Sequence, residues 1–221
     1  MKKESRMFPG LGLALLVLAG IGCSTTPKRT LPEGEILYEK GELDNAIAAF
    51  TEEIQASPNS AGAYSNRARA YYDKGDYDNS IADYTEAIRI RPNDYSYYTD
   101  RGRSYLDKSD YDNAIADFTE VAVLWGNSPA IIVFGKGIIP PYNHRGYAYF
   151  MKGDYSSAIE DLTRAIRIWN GDSFSYNVRG RAYAGEGDYD KAIADYTEAL
   201  RLDPKNEQAK NNLKFAKKRG Q

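Results

Sequence analysis

The 221-residue sequence has one cysteine and one histidine. A single cysteine excludes an intrachain disulfide, and a lone histidine, His144, excludes a multi-histidine metal site. Charge of one sign is missing too: 29 basic and 31 acidic residues leave a formal net charge of −2. That lacks the basic excess of a nucleic-acid binder, so none is expected as a partner. No apolar run reaches the roughly 20 residues that a comfortable membrane span needs. What is present, 42% hydrophobic and 27% charged residues, suits a soluble body with a real core.

The N-terminus stands apart. MKKESRMFPG carries Lys2, Lys3 and Arg6, LGLALLVLAGIG follows, and small residues close the run. A basic segment, a short apolar stretch and a small-residue exit predict a secretory signal peptide. LAGIGCS places Cys23 at that exit and resembles the lipobox of bacterial lipoproteins. The resemblance implies a signal peptide over 1–22, lipid on Cys23 as the new N-terminus, and a lipidated tether over 23–31. Gly20 departs from the branched apolar residue usual there. An uncleaved anchor or an ordinary cleaved signal remains the alternative. The polar STTPKRTLP that follows reaches about 30 Å when extended, which would keep the folded body near the membrane surface.

Beyond it the chain repeats. KGDYDNSIADYTEAIRIRP at 74–92 returns as EGDYDKAIADYTEALRLDP at 186–204, KGDYSSAIEDLTRAIRI at 152–168 and KSDYDNAIADFTEVAVL at 108–124. Gly41, Gly75 and Ser109 lie 34 apart, as do Gly153 and Gly187, while the 44 between Ser109 and Gly153 marks ten inserted residues. A period of this length predicts a solenoid. Within 61–94, Tyr64, Ala68, Tyr71 and Tyr72 form one helical stripe. Ile81, Tyr84, Ala87 and Ile88 form another across the DKGD turn, and Pro92 closes the unit.

These copies resemble the tetratricopeptide repeat. Its early aromatic is met by Tyr64, Tyr98, Tyr142 and Tyr176, and the small residue after it by Ala68, Gly102, Gly146 and Gly180. Its second-helix positions are met by Ser80, Ala114, Ala158 and Ala192, then by Tyr84, Phe118, Leu162 and Tyr196. The resemblance covers 32–206 and implies an all-α, right-handed α-solenoid of stacked helix-turn-helix units. Full repeats fall at 61–94, 95–128, 139–172 and 173–206, with an apolar insertion at 129–138. A partial repeat at 32–59 and a polar helix at 207–221 are expected to cap the ends of the 32–221 body. In the partial repeat, Pro32 and Gly34 replace expected helical residues, which predicts a short first helix. The closing proline is lost at Gly126 and Asn170, which predicts looser junctions there.

Each full repeat has an arginine where the family usually has leucine: Arg67, Arg101, Arg145 and Arg179. Each has an aspartate sixteen residues later: Asp83, Asp117, Asp161 and Asp195. Pairing with the preceding copy would set Arg67 against Ala49 and Asp195 against Leu213, whereas pairing within each repeat leaves no orphan. Structural ion pairs joining the two helices of a repeat are therefore expected, valued for register more than for net stability. Ligand binding by these arginines is the other reading.

The resemblance further implies a concave groove lined by the first helices. On this chain it falls on Ser65, Arg69, Tyr72 and Asp73, then Thr99, Arg103, Leu106 and Asp107. It continues with Asn143, Tyr147, Phe150 and Met151, then Phe174, Asn177, Arg181 and Ala184. Phe150, Met151 and Phe174 make the C-terminal half apolar and are expected to anchor a partner, unless they pack against the insertion. The carboxylate clamp of some relatives is not expected, because Ser65 and Arg69 replace its lysine and asparagine. The insertion, within GNSPAIIVFGKGIIPPY, reads as a small hairpin or as a segment folded over the solenoid edge.

No catalytic constellation assembles. FGKG lacks the remaining glycine and the Ser/Thr of a phosphate loop, GRAYAGEG spans a helix and its turn, and His144 reads as a groove or surface residue. Neither cofactor nor metal is expected. The sequence therefore predicts a lipid-anchored scaffold of the bacterial envelope, facing the periplasm or exterior, that binds proteins or peptides. The second reading is a ligand- or peptide-binding accessory lipoprotein of a transport system. A third is an intracellular co-chaperone with a misread N-terminus.

Overall fold

A computed structural model describes residues 32–126 and 141–220, which hold eleven α-helices and no strand. They are α1 Glu33–Glu39, α2 Leu43–Ala56, α3 Ala61–Asp73, α4 Tyr77–Ile90, α5 Tyr95–Asp107 and α6 Tyr111–Gly126, then α7 Pro141–Lys152, α8 Tyr155–Ile168, α9 Ser173–Gly185, α10 Tyr189–Leu202 and α11 Glu207–Arg219. Cys23, the segments 1–22 and 23–31, and the insertion at 129–138 lie outside the described residues. Each helix packs on the next in sequence, and α3 also meets α5, α7 meets α9 and α9 meets α11. Comparable contacts do not link even-numbered helices to one another, so the odd-numbered helices crowd the inside of the solenoid.

The helices start and stop where side chains satisfy their end groups. Asp76, Asp94, Asp154, Asp172 and Asp188 sit at N-caps, and each accepts a backbone N–H two or three residues on, worth about 1 kcal/mol apiece. The turn inside each repeat needs a left-handed residue after the first helix. Gly75 supplies it at φ +78°, and the Asp76 N–H then reaches back to the Tyr71 carbonyl at 2.9 Å, a Schellman closure. Ser109 takes the same place at φ +66°, and Asp110 closes onto Tyr105 at 2.8 Å. A side chain there carries a steric cost that glycine lacks.

Packing within a repeat sets a small residue of the first helix against a large one of the second. A Cβ on Gly102, Gly146 or Gly180 would come 2.8 Å from Phe118, Leu162 or Tyr196, closer than real Cβ contacts allow. Gly34 corrects the sequence reading. It lies inside α1, in this same small position, and a Cβ there would strike the Phe50 ring. The partial repeat is thus short but built on the same contact. Between repeats the contact is small on small: Ser80 of α4 meets Ser104 of α5 at 2.9 Å, both fully buried.

The arginines tie these contacts together. In every full repeat Nε and Nη2 of the arginine donate to both oxygens of the aspartate sixteen residues on, at 2.5–2.9 Å. The remaining Nη1 donates backwards, to the threonine hydroxyl of the preceding repeat's second helix. Arg67 reaches Thr51, Arg101 reaches Thr85, Arg145 reaches Thr119 and Arg179 reaches Thr163, at 2.9–3.2 Å. Thr51, Thr85 and Thr119 in turn donate to carbonyls one turn back at 2.7 Å. The aspartate side chains are 5–9% exposed and the arginines 14–17%. Each pair is therefore largely dehydrated. Exposed lysine bridges, Lys108 to Asp78 at 2.5 Å and Lys152 to Asp112 at 2.6 Å, also join successive repeats, and such pairs add little.

Two stability experiments follow from this packing. Arg101→Met strands a buried carboxylate and should cost about 3 kcal/mol in chemical denaturation, and adding Asp117→Leu should restore most of it. Strict additivity in that cycle would show that the two side chains do not interact. Ser109→Gly should raise stability by about 0.5–1 kcal/mol by relieving the left-handed strain, and a loss would mean that the serine is held by something other than the turn.

Candidate functional site

The inside of the solenoid has two chemically distinct ends. At the N-terminal end, α1, α3 and α5 carry one device twice. The Tyr38 hydroxyl donates to Asp73 and the Tyr72 hydroxyl donates to Asp107. The Arg69 guanidinium lies 4.2 Å over the Tyr38 ring and Arg103 lies 5.2 Å over the Tyr72 ring, within cation–π range. Burial, then the bond to Asp107, pushes the Tyr72 phenol up to about 12, so it stays protonated as a donor at neutral pH. These residues border a cavity of about 220 Å³ lined by Tyr38, Arg69, Tyr72, Asp73, Tyr84, Asp100 and Arg103. Arg103 stands 3.6 Å from Asp100, whose carboxyl is raised by burial.

Three of these residues escape sequence reasoning. Tyr38 stands 34 residues before Tyr72 but is hidden in a helix that reads as a fragment. Tyr84 occupies a core position, and Asp100 is offset from the expected groove positions. The repeat register could have found the first.

The device then breaks. The next positions in register are Leu106, Tyr147 and Met151, which supply neither guanidinium nor carboxylate. Phe150 and Arg181 form a half-version, with the guanidinium 4.3 Å over the ring and Gly185 in the aspartate position. Around this break the aromatics gather. Tyr147 meets Phe174 edge-on at 5.4 Å and lies near-parallel to Phe150 at 6.4 Å. Phe174 is 43% exposed and Met151 38%. Phe150 instead packs against the core cluster of Ala158, Leu162, Val178 and Ala182, so it belongs partly to the core rather than to a free surface.

Asn177 corrects the groove reading. It is 2% exposed, donating to Gln208 at 2.8 Å and accepting from Asn212 at 3.1 Å. Helix α11 packs where the first helix of another repeat would stand and seals Asn177 from any partner. Asn143, one repeat earlier, is also buried, and among the described residues its Oδ1 has no hydrogen-bond partner. Its counterparts of Gln208 and Asn212 are Phe174 and Val178, which offer no polar atom. Arg67, Arg101, Arg145 and Arg179 are held by aspartate and threonine rather than presented to a ligand.

His144 stacks on Phe118 at 5.4 Å and 22°. Burial, then the nearby Arg103 charge, lowers its pKa, leaving it a neutral packing group at pH 7. Among the described residues no cluster of His, Cys, Asp or Glu could hold a metal ion, and no helix is long and apolar enough to cross a membrane.

Family models described as tetratricopeptide repeat match residues 31–95, 65–130, 139–168 and 173–206. No curated protein matches the sequence. Among solved structures, MamA superposes with a TM-score of 0.70 at 23% identity, over 80% of this chain and 97% of that one. YrrB, described as a TPR protein with an unusual peptide-binding site, gives 0.66 at 16% identity over 82% and 88%. A thermophilic TPR protein of Thermus thermophilus, TTC0263, gives 0.59 at 18% identity over 83% and 94%. At these identities the likeness establishes a shared fold.

Proposed function

Because this chain belongs to the tetratricopeptide-repeat family, we propose that it is an interaction scaffold that seats a peptide or protein segment along the odd-numbered helices. Lipid on Cys23 would hold it to the bacterial envelope, the body facing the periplasm or exterior. The observation that carries the binding reading is the open aromatic site. Phe174 and Met151 stand exposed beside Tyr147 and Phe150 on two adjacent inner helices, a concave apolar patch of the kind that takes an anchor residue. The YrrB likeness supports it, since that protein has a peptide-binding site on the same fold. The tether reading is supported by the Cys23 context alone.

The partner can be captured from the cell's own membranes and its affinity measured by titration calorimetry. Phe174→Ala should weaken it by more than about 2 kcal/mol with little change in melting, since Phe174 is half in solvent. Phe150→Ala should lower stability by about 2–3 kcal/mol, because its ring packs on the core. Unchanged affinity in a stable Phe174→Ala protein would move the anchor elsewhere. Cys23→Ser should release the protein from membranes or leave it unprocessed, and a variant still membrane-bound at the mature size would rule out lipidation.

A further inference from the structure

Tyr84 has a polar atom its place in the repeat does not need. The position is the large residue packed beneath the first helix, and Phe50, Phe118 and Leu162 fill it in three of the other four copies. Tyr84 is 3% exposed, and among the described residues its hydroxyl makes no hydrogen bond. The hydroxyl is not sealed in the core as the Asn143 Oδ1 is, so it adds a donor at little cost to the packing, and phenylalanine would keep that packing while losing the donor. Burial keeps the phenol protonated. The residue lines the 220 Å³ cavity, so a donor stands ready at the cavity wall.

The other lining groups define what that donor could meet. Arg69 and Arg103 add further donors, and Asp100 is an acceptor. Asp73 is engaged by Tyr38, and the four formal charges cancel. A carboxylate entering here would face Asp100, and an ammonium would face the two guanidiniums, so either charge meets its like. The Tyr38 and Tyr72 rings each carry one of those guanidiniums over a face, which disfavours stacking of a sugar ring or an aliphatic side chain there. A volume of 220 Å³ corresponds to roughly seven waters, room for one polar head group. We infer that this cavity is a subsite for an uncharged carboxamide, the side chain of an asparagine or glutamine in the bound segment. Its carbonyl accepts from the Tyr84 hydroxyl and a guanidinium, and its N–H donates to Asp100. The inference deepens the scaffold reading and rests on it for the source of the carboxamide. It adds a polar recognition point two inner helices away from the apolar anchor.

The test needs no knowledge of the partner. The full chain, held in detergent and isotopically labelled at tyrosine, is titrated in turn with propionamide, propionate and propylammonium while the Tyr38, Tyr72 and Tyr84 resonances are followed. Tyr84 is assigned from its loss in Tyr84→Phe. Propionamide should shift these resonances saturably and bind about tenfold or more tightly than either charged probe, a difference of about 1.4 kcal/mol. Tyr84→Phe should melt like the parent, as Phe118 fits the same place, yet bind propionamide about three- to tenfold more weakly, as read from Tyr38 and Tyr72. No saturable shift, equal affinity for the three probes, or an unchanged affinity in Tyr84→Phe overturns the subsite. The two readings fail separately. Loss of the partner in Phe174→Ala without propionamide binding removes the subsite alone, whereas propionamide binding with an unaffected Phe174→Ala protein removes the apolar anchor alone.

Discussion

A guanidinium offers its donors in one rigid plane, and this protein uses that plane to join three helices at each full repeat. Two donors grip the aspartate of the same repeat and a third reaches the threonine of the repeat before. An apolar leucine in that place could slide along its neighbour at little cost, because dispersion contacts are weakly directional. A bidentate pair cannot, since its bonds are lost within a fraction of an ångström. Dehydration cancels much of the attraction, so the staple's contribution lies more in geometry than in net free energy. It sets the placement of each inner helix against both its own second helix and the one before.

The inner surface inherits that placement. Arg69 lies two residues beyond the stapling Arg67 on α3, and Arg103 two beyond Arg101 on α5. The staples of Arg67 and Arg101 thus help set where Arg69 and Arg103 stand over the Tyr38 and Tyr72 rings. The cavity between them exists because both inner helices are held in the same register. At the next position Leu106, Tyr147 and Met151 replace the polar trio while the staple between Arg145, Asp161 and Thr119 persists. Frame and lining are thus separable: the first recurs unchanged, and the second differs from copy to copy.

That separation explains what the sequence disclosed. Contacts inside a repeat depend on a short covalent connection with one strongly preferred turn, so counting residues suffices to place Arg101 against Asp117 or Gly102 against Phe118. Contacts between repeats depend on the stacking angle, which no single unit encodes. The threonine partners were in plain view at Thr51, Thr85, Thr119 and Thr163, yet nothing within one repeat says that Nη1 points backwards. Asn177 reads as a groove residue for the same reason, because its cover comes from α11, outside the repeats. Gly34 misled through composition, since a glycine near a chain entry reads as an interruption until the Phe50 ring it admits is seen.

Tyr84 shows how far the separation extends into the core. The position beneath the first helix requires only bulk, as Phe118 and Leu162 demonstrate. Tyr84 fills it while also lining the cavity on the inner surface, and there a phenol can add a donor without disturbing the packing. The frame thus tolerates a polar atom at a core site provided that atom emerges into the groove. Specific recognition can then be written from beneath the inner helices as well as on them, at a depth where water is scarce and a single hydrogen bond discriminates more strongly than it would in solvent.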